Sequence, residues 1–422
     1  MKVLVVGGGG REHAIVWKLR QSPKVTELFC APGNPGTAQL ATNVDIGVTN
    51  TGALAVWAVQ NKIDLTVVGP EAPLAAGLAD VFAQHGLRIF GPSQAAAQLE
   101  ASKSFAKEVM QKAGVPTPRA ELFEEFEAAK RYVEEQGAPV VIKADGLAAG
   151  KGVTVAMTVD EAIAALKECL LDERFGSSGK KVVVEEFIKG REASVMAIID
   201  GTTVLPLVVS QDYKRLNDGD QGPNTGGMGA ISPTDVLADE QVEGLAAEIF
   251  IPVLKELWSR DIRYVGFLYA GVIVDEEGVA RVLEFNCRLG DPETQVLLPR
   301  LQSDLCEVLD AAVSGKLSSI ELSWKSEAAA CVVLSSRGYP GEVDDGKPIT
   351  GLESTENDVF VFHAGTTLAE DGQTVVSKGG RVLTVAALGE TRNRALGKAY
   401  ARLEKISFDG MHCRRDIGGG AW

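Results

Sequence analysis

Apolar residues in the N-terminal part of the chain come in short runs that alternate with helical periodicity. Val3-Leu4-Val5-Val6 is unbroken, as expected of a strand covered on both faces. A helix is predicted over Arg11–Leu19, and further short strands at Glu27–Cys30, Asp64–Val68 and Arg88–Phe90, with helical segments between them. This alternation implies an open, Rossmann-like parallel sheet, whose ligands bind beyond the strand C-termini. Three of the strands run into polar turns there: Gly7–Glu12, Ala31–Thr37 and Gly69–Glu71.

The pattern then changes. Gln94–Ala113 reads as one helix, stopped by Gly114 with Pro116 and Pro118 just beyond. Next come a helix over Glu124–Gln136, a buried strand at Val140–Ile142, a glycine-rich loop and a strand over Val153–Met157. A capping box, Thr158 to Glu161, opens the helix Ala162–Leu171, and Lys181–Phe187 is the following strand. Residues 119–189 thus form a small α+β unit with the glycine loop at its tip. The period-two run Val282–Leu289 follows a hairpin turn at Asp275–Gly278. Strands at Ala328–Leu334 and Val382–Ala387, a helix over Ala395–Ile406, and loops at Arg337–Pro340 and His363–Thr366 suggest a C-terminal mixed α+β domain. The predicted division is 1–102, 103–325 and 326–422, an α/β and α+β multidomain chain.

Composition narrows the possibilities. The length of 422 residues suits about two to four domains. A formal net charge of −15 disfavours nucleic acid and acidic membranes as partners, but allows a local basic site for a phosphorylated small molecule. No apolar run approaches the roughly 20 residues of a membrane span, and Met1–Val6 is too short for a signal segment. The six cysteines are scattered without C-x-x-C spacing, as in a cytoplasmic protein with reduced thiols. The four histidines show no metal-ligand spacing. There are no internal repeats, and nothing in the chain signals an oligomeric state; it is compatible with a monomer.

Candidate chemistry sits in the turns and strand ends. Lys143 ends one strand, and Gly146, Gly150, Lys151 and Gly152 fill the loop before the next. Small residues let backbone N–H groups approach an anion, and the two lysines add charge, which suits a flap over a polyphosphate such as that of ATP. It is not a Walker A loop: three residues rather than four separate Gly146 from Gly150-Lys151, Gly152 replaces the hydroxyl residue, and a strand rather than a helix follows. The alternative is a glycine-rich hairpin with solvated lysines. The N-terminal glycines do not complete a dinucleotide fingerprint either, since Glu12 stands at the third glycine position and no acid ends the second strand. A helix N-terminus after Gly10 could hold a phosphate, or simply pack helix on strand. Glu185, Phe187 and Glu192 could frame a purine and its ribose, or be solvated. Asp212, Lys214 and Arg215, with the polar loop Gly222–Gly229, are candidate substrate contacts, or a surface loop. Period two places Glu284, Asn286 and Arg288 on one face and Leu283, Phe285, Cys287 and Leu289 on the apolar other. A carboxylate beside an amide oxygen suits Mg²⁺, and Arg288 can meet phosphate or carboxylate; a salt-bridged solvent face is the plain alternative.

Taken together these motifs resemble the ATP-grasp superfamily, and within it the glycinamide ribonucleotide synthetase family. The resemblance spans nearly the whole chain and is most specific at Pro223–Gly229 and Asn286–Thr294. One departure is Cys413, where the family usually carries an aromatic residue. The chain's extent resembles the stand-alone bacterial type. The resemblance implies ATP-dependent ligation of glycine to 5-phosphoribosylamine through glycyl phosphate, with Mg²⁺ or Mn²⁺. It implies that Lys103 and Lys143 bind ATP phosphates beneath the loop carrying Gly150, Lys151 and Gly152. Glu185 and Phe187 would frame adenine, Glu192 would take the ribose, and Glu284 and Asn286 would hold the metal. Arg288, with Lys143, would serve catalysis by steadying the transferred phosphoryl group. Asp212, Asp291, Glu293 and Thr294 would hold the glycine and amine side, and Gly9, Gly10, Asn34 and Glu71 the phosphoribosyl group. The competing classes are an oxidoreductase with an N-terminal dinucleotide fold, a non-catalytic nucleotide-binding module, and a carboxylase or formate-using ATP-grasp enzyme.

Overall fold

A computed structural model of the chain describes residues 1–146, 152–172, 179–353 and 356–419. Its N-terminal sheet has five strands in the order Thr42–Asn43, Glu27–Pro32, Lys2–Gly7, Leu65–Val68, Ile89–Phe90, and every pairing is parallel. The strand order reverses direction about Lys2–Gly7, so the polar turns after the first three long strands gather at one edge, as expected of a switch point. Gly7 has a φ of +137°, and a Cβ there would stand 2.2 Å from Glu12 Cγ. A Cβ on Gly69 would stand 2.2 Å from Glu12 Oε1. The acid that spoils the dinucleotide fingerprint thus occupies the space those two glycines leave.

The small α+β unit is a four-stranded antiparallel sheet in the order Ala120–Phe123, Val182–Glu186, Val140–Ala144, Val153–Ala156. It has its own core beneath the helices Phe126–Gln136 and Val159–Leu170. Thr158 caps the second helix, accepting from Glu161 N at 3.2 Å. The helix expected over Gln94–Ala113 is instead broken at Ser102. That residue is extended and caps Lys103–Ala113 through Phe105 N, while Asp145 accepts from Ser104 N at 3.1 Å. Gly114 ends the helix in the left-handed conformation, as its sequence position suggests.

A central antiparallel sheet runs Val204–Pro206, Gly190–Asp200, Val265–Asp275, Ala280–Asn286. One face buries Ala193, Val195, Leu268, Ala270, Val282 and Phe285 against the helix Val242–Ser259. The other carries Glu192, Ser194, Tyr269, Gly271, Glu284 and Asn286 in register. Gly271 pairs with Glu284 but Val272 with Val282, so Leu283 is the extra residue of a β-bulge. Leu283 was expected on the apolar face; the bulge gives that place to Val282 and leaves Leu283 half-buried.

The C-terminal sheet draws two strands from the middle of the chain. Its order is Gln211–Asp212, Gly229–Ser232, Ala328–Ser335, Arg381–Gly389, Val359–His363. The helix Arg392–Leu403 covers it, and Cys413 packs at the edge of that core. The helix Gly10–Leu19 lies among the N-terminal sheet, the helix Thr294–Arg300 and the strand Val359–His363, all of which share one apolar core. No helix among the described residues is long and apolar enough to cross a membrane.

His13 and His363 meet within that junction. The His363 backbone N–H donates to His13 Nδ1 at 2.8 Å, and the rings lie 5.7 Å apart. Burial lowers His13 from 6.5 to about 3, with His363 adding to the drop, and burial lowers His363 to about 4. Both pKa values are depressed in the folded state, so below 6.5 the unfolded chain binds protons that the folded chain refuses. Stability is therefore expected to fall as pH drops from 6.5 toward 4, by up to about 1.4 kcal/mol per pH unit for each histidine. Thermal unfolding across that range should show a shallower pH slope for His13→Asn than for the unaltered chain; equal slopes would refute the assignment.

Candidate active site

The polar face of the central sheet forms the floor of the site. Glu284 stands opposite Gly271, where a Cβ would lie 3.4 Å from Glu284 Cγ. Burial opposes ionisation of this carboxyl, but Lys214, Lys143, Lys103 and Arg288 outweigh it and hold the group below its ordinary range. The four cations come from four separate segments. Asn286, two residues on, is buried on the same face.

Lys103 opens the helix Lys103–Ala113 and donates to the Gly146 carbonyl at 2.9 Å, which ties that helix to the start of the glycine loop. Burial lowers its pKa, with Glu284 opposing and Lys143 adding. Lys143 is buried between Glu185 Oε2 at 2.8 Å and the bulged Leu283 carbonyl at 3.1 Å. Glu185 also meets Lys107 at 3.1 Å, whose pKa burial lowers to about 8 against the pull of Glu185. The Glu185 carboxylate therefore balances two lysines. Phe187 lies half-buried just past the same strand. Glu192 accepts from Lys214 Nζ at 2.6 Å. The Gly152 carbonyl accepts from Ala144 N at 2.8 Å; Gly150 and Lys151 lie outside the described residues.

Arg288 is held from several sides. Its Nη2 lies 2.9 Å from Glu100 Oε1 and donates to Asn286 Oδ1 at 3.0 Å, and its Nε lies 3.3 Å from Glu71 Oε2. Glu100 also accepts from Cys287 N at 2.7 Å. Burial pushes Glu100 upward, with Arg288 opposing. The sequence did not single out Glu100, because a lone acid in a helical stretch looks like any solvated one.

At the other end of the floor, burial pushes Asp212 up to about 7, with Lys214 opposing and Glu293 and Glu192 adding. Glu293 is buried and accepts from Ser194 Oγ at 3.1 Å. Thr294 bonds its hydroxyl to the Gly290 carbonyl at 2.5 Å and so closes its own turn. Asp291 accepts from Gln295 Nε2 at 2.8 Å and lies 3.3 Å from Arg381 Nη2. Arg381, which also bonds the Gly226 carbonyl at 2.5 Å, carried no local signal in the sequence. Arg215 turns away to the Gly222 carbonyl at 2.8 Å.

The N-terminal turns approach from above. Gly9 N donates to Glu12 Oε2 at 2.7 Å and Gly10 begins the helix. The Asn34 side-chain amide donates to the Gly8 and His363 carbonyls at 2.9 Å each, and its oxygen accepts from Gly36 N and Thr37 N. Gly9, Asn34, Asp291, Lys378 and Arg381 are among the residues lining a cleft of about 680 Å³.

Among the described residues no cluster of three or more His, Cys, Asp or Glu side chains is arranged as a metal cage. One ionised carboxylate with one amide oxygen fits Mg²⁺, or Mn²⁺, which completes its shell with water and substrate phosphates.

Comparison with known proteins agrees with this arrangement. Residues 1–100 match the N domain of phosphoribosylglycinamide synthetase, residues 101–294 its ATP-grasp (A) domain, and residues 329–420 its C domain. Phosphoribosylamine–glycine ligase of Neisseria meningitidis serogroup A is 51% identical over 417 residues, covering 99% of this chain and 98% of that protein. The protein of the same name from Escherichia coli O157:H7 is 51% identical over 421 residues, with the same coverage. A crystal structure of phosphoribosylamine–glycine ligase from Thermotoga maritima superposes with a TM-score of 0.86 at 34% identity, covering 99% of this chain and all of that one. The biotin carboxylase domain of Hydrogenobacter thermophilus 2-oxoglutarate carboxylase, solved with MgADP, shares the fold at a TM-score of 0.74 and 18% identity, over 98% of this chain and 91% of that one. The chain belongs to the phosphoribosylglycinamide synthetase family of ATP-grasp ligases.

Proposed function

We propose that this chain joins glycine to 5-phosphoribosylamine at the expense of ATP, by way of glycyl phosphate, releasing ADP and phosphate. The observation that carries this reading is the row Glu284, Asn286 and Arg288, set beside Lys103 and Lys143 at one end and the acids Asp212 and Glu293 at the other. The full-length relatives' names point to the same substrates.

Glycine's carboxylate is a poor electrophile, being anionic and without a good leaving group. Transfer of the γ-phosphoryl group to one of its oxygens gives an acyl phosphate. The amine nitrogen then attacks the acyl carbon, phosphate leaves, and the nitrogen loses a proton. No nucleophilic side chain is required, so catalysis rests on positioning and charge neutralisation. Lys103 and Lys143 would hold the ATP phosphates under the glycine loop, with Gly150, Lys151 and Gly152 over them, and Phe187 and the Glu185 strand end beside the base. Glu192, once released from Lys214, would accept from the ribose. Glu284 and Asn286 would hold the divalent metal, which supplies neutralising charge to the phosphates. Arg288 would face the transferred group. Asp212 and Glu293 would meet glycine's ammonium, with Asp291 and the Thr294 turn alongside. The 680 Å³ cleft lined by Gly9, Asn34, Lys378 and Arg381 would take the phosphoribosyl group, with Gly10 and Glu71 also on its side of the site. The domain limits that fit this division of labour are 1–102, 103–325 and 326–422.

ADP release should require glycine and phosphoribosylamine together, and bicarbonate or formate should not replace glycine; dependence on either one would overturn the substrate assignment. Glu284→Ala is expected to lower kcat more than about a hundredfold while the unfolding transition stays in place; an unchanged Mg²⁺ dependence would refute its role. Lys143→Ala should raise KM for ATP roughly tenfold to a hundredfold, and an effect confined to glycine would count against it. Because Asp212 ionises through about 7, KM for glycine should fall as the pH is raised through that value, and a flat profile would remove Asp212 from the ammonium site.

A further inference from the structure

Ser194 lies at the middle of the strand Gly190–Asp200 and is 1% exposed. Its backbone is pinned by reciprocal hydrogen bonds with Ser210, Ser194 N to Ser210 O at 2.8 Å and Ser210 N to Ser194 O at 3.3 Å. Its hydroxyl stands 3.1 Å from Glu293 Oε1 and 3.0 Å from the Tyr269 hydroxyl. Ser194 is the donor to Glu293 Oε1. With its single proton used there, Ser194 accepts from Tyr269. The result is a one-way chain, Tyr269 to Ser194 to Glu293, in which each hydroxyl polarises the next.

Glu293 is constrained a second time. A Cβ on Gly290 would stand 2.4 Å from Glu293 Cδ and Oε2, so the glycine is what lets the carboxyl fold back over its own turn. The cations that feel its charge, Arg288 and Arg381, are paired elsewhere, with Glu71 and Glu100 and with Asp291. A buried carboxylate held by a hydroxyl at one oxygen, with Asp212 close by, is suited to an incoming ammonium at the other.

We propose that Ser194 and Tyr269 are positioning residues for the amino-acid substrate: their hydroxyl chain fixes Glu293 so that its second oxygen meets the amino group of glycine. Neither is among the residues that the ligase reading sets at ATP or the transferred phosphoryl group. The inference rests on the ligase reading above and deepens its glycine end.

The test is steady-state kinetics on the full chain carrying Ser194→Ala, Tyr269→Phe or both, with thermal unfolding measured alongside. Ser194→Ala is expected to raise KM for glycine about tenfold, the effect of one lost charge-assisted hydrogen bond, with KM for ATP within about twofold of the unaltered value. Tyr269→Phe should act in the same direction but more weakly, and should add nothing in the Ser194→Ala background, because it works through that hydroxyl. If the variants lower the unfolding temperature while KM for glycine stays put, or raise both KM values together, the chain of hydroxyls is merely structural and the proposal falls. If the unaltered chain shows no glycine-dependent ADP release, the ligase reading itself has failed, and this inference with it.

Discussion

The polar face of the central sheet depends on keeping one desolvated carboxylate, Glu284, ionised. Desolvation alone would drive Glu284 toward its neutral form, which binds no divalent cation well. The opposing charge comes from Lys214, Lys143, Lys103 and Arg288, one each from the polar loop, the small antiparallel sheet, the helix after Ser102 and the end of the central sheet. None is near Glu284 in sequence except Arg288. The charge state of Glu284 therefore depends on four segments coming together, and loss of any one weakens it rather than just a contact. Those cations would repel one another without counter-charges of their own: Lys143 has Glu185, Lys214 has Glu192, and Arg288 has Glu100 and Glu71. The site is an alternating lattice of charge in which each pair offsets the burial of the next.

The second constraint is backbone satisfaction where the two ends of the chain meet. The turns that gather over the N-terminal sheet expose carbonyl and N–H groups in a buried place, and these need partners. Asn34 provides them for its own turn and reaches the Gly8 and His363 carbonyls at once. Arg11 donates to the Leu289 carbonyl at 3.1 Å, and Arg381 does the same for Gly226. The cleft is consequently walled by residues some 350 positions apart, from Gly9 and Asn34 to Lys378 and Arg381. The sharing of strands Gln211–Asp212 and Gly229–Ser232 with the C-terminal sheet carries the polar loop between them to the site.

Much of the fold is legible in the sequence alone. The parallel sheet and the three polar turns at its edge followed from strand runs and breakers. The departure from the dinucleotide fingerprint has a physical counterpart: Glu12 fills the volume left by Gly7 and Gly69. Errors came where pattern and packing part company. Gln94–Ala113 has continuous helical periodicity, yet Ser102 and Asp145 offer hydrogen bonds that reward a break. Strict alternation put Leu283 in the core, and one bulged residue reversed it. The strand Gly190–Asp200 escaped notice because its apolar and polar residues serve two different buried faces.

The sequence by itself determined most element types and the face that Glu284 and Asn286 share. These depend on repeats of a few residues and on backbone conformation, which are local properties of the chain. Tertiary structure alone decided which lysine faces which acid, that Glu185 balances Lys107 and Lys143, that Glu100 braces Arg288, and that Ser194 and Tyr269 stand behind Glu293. Such pairings join residues up to nearly 200 positions apart, and a charge or hydroxyl carries no mark along the chain of the partner that burial will force upon it.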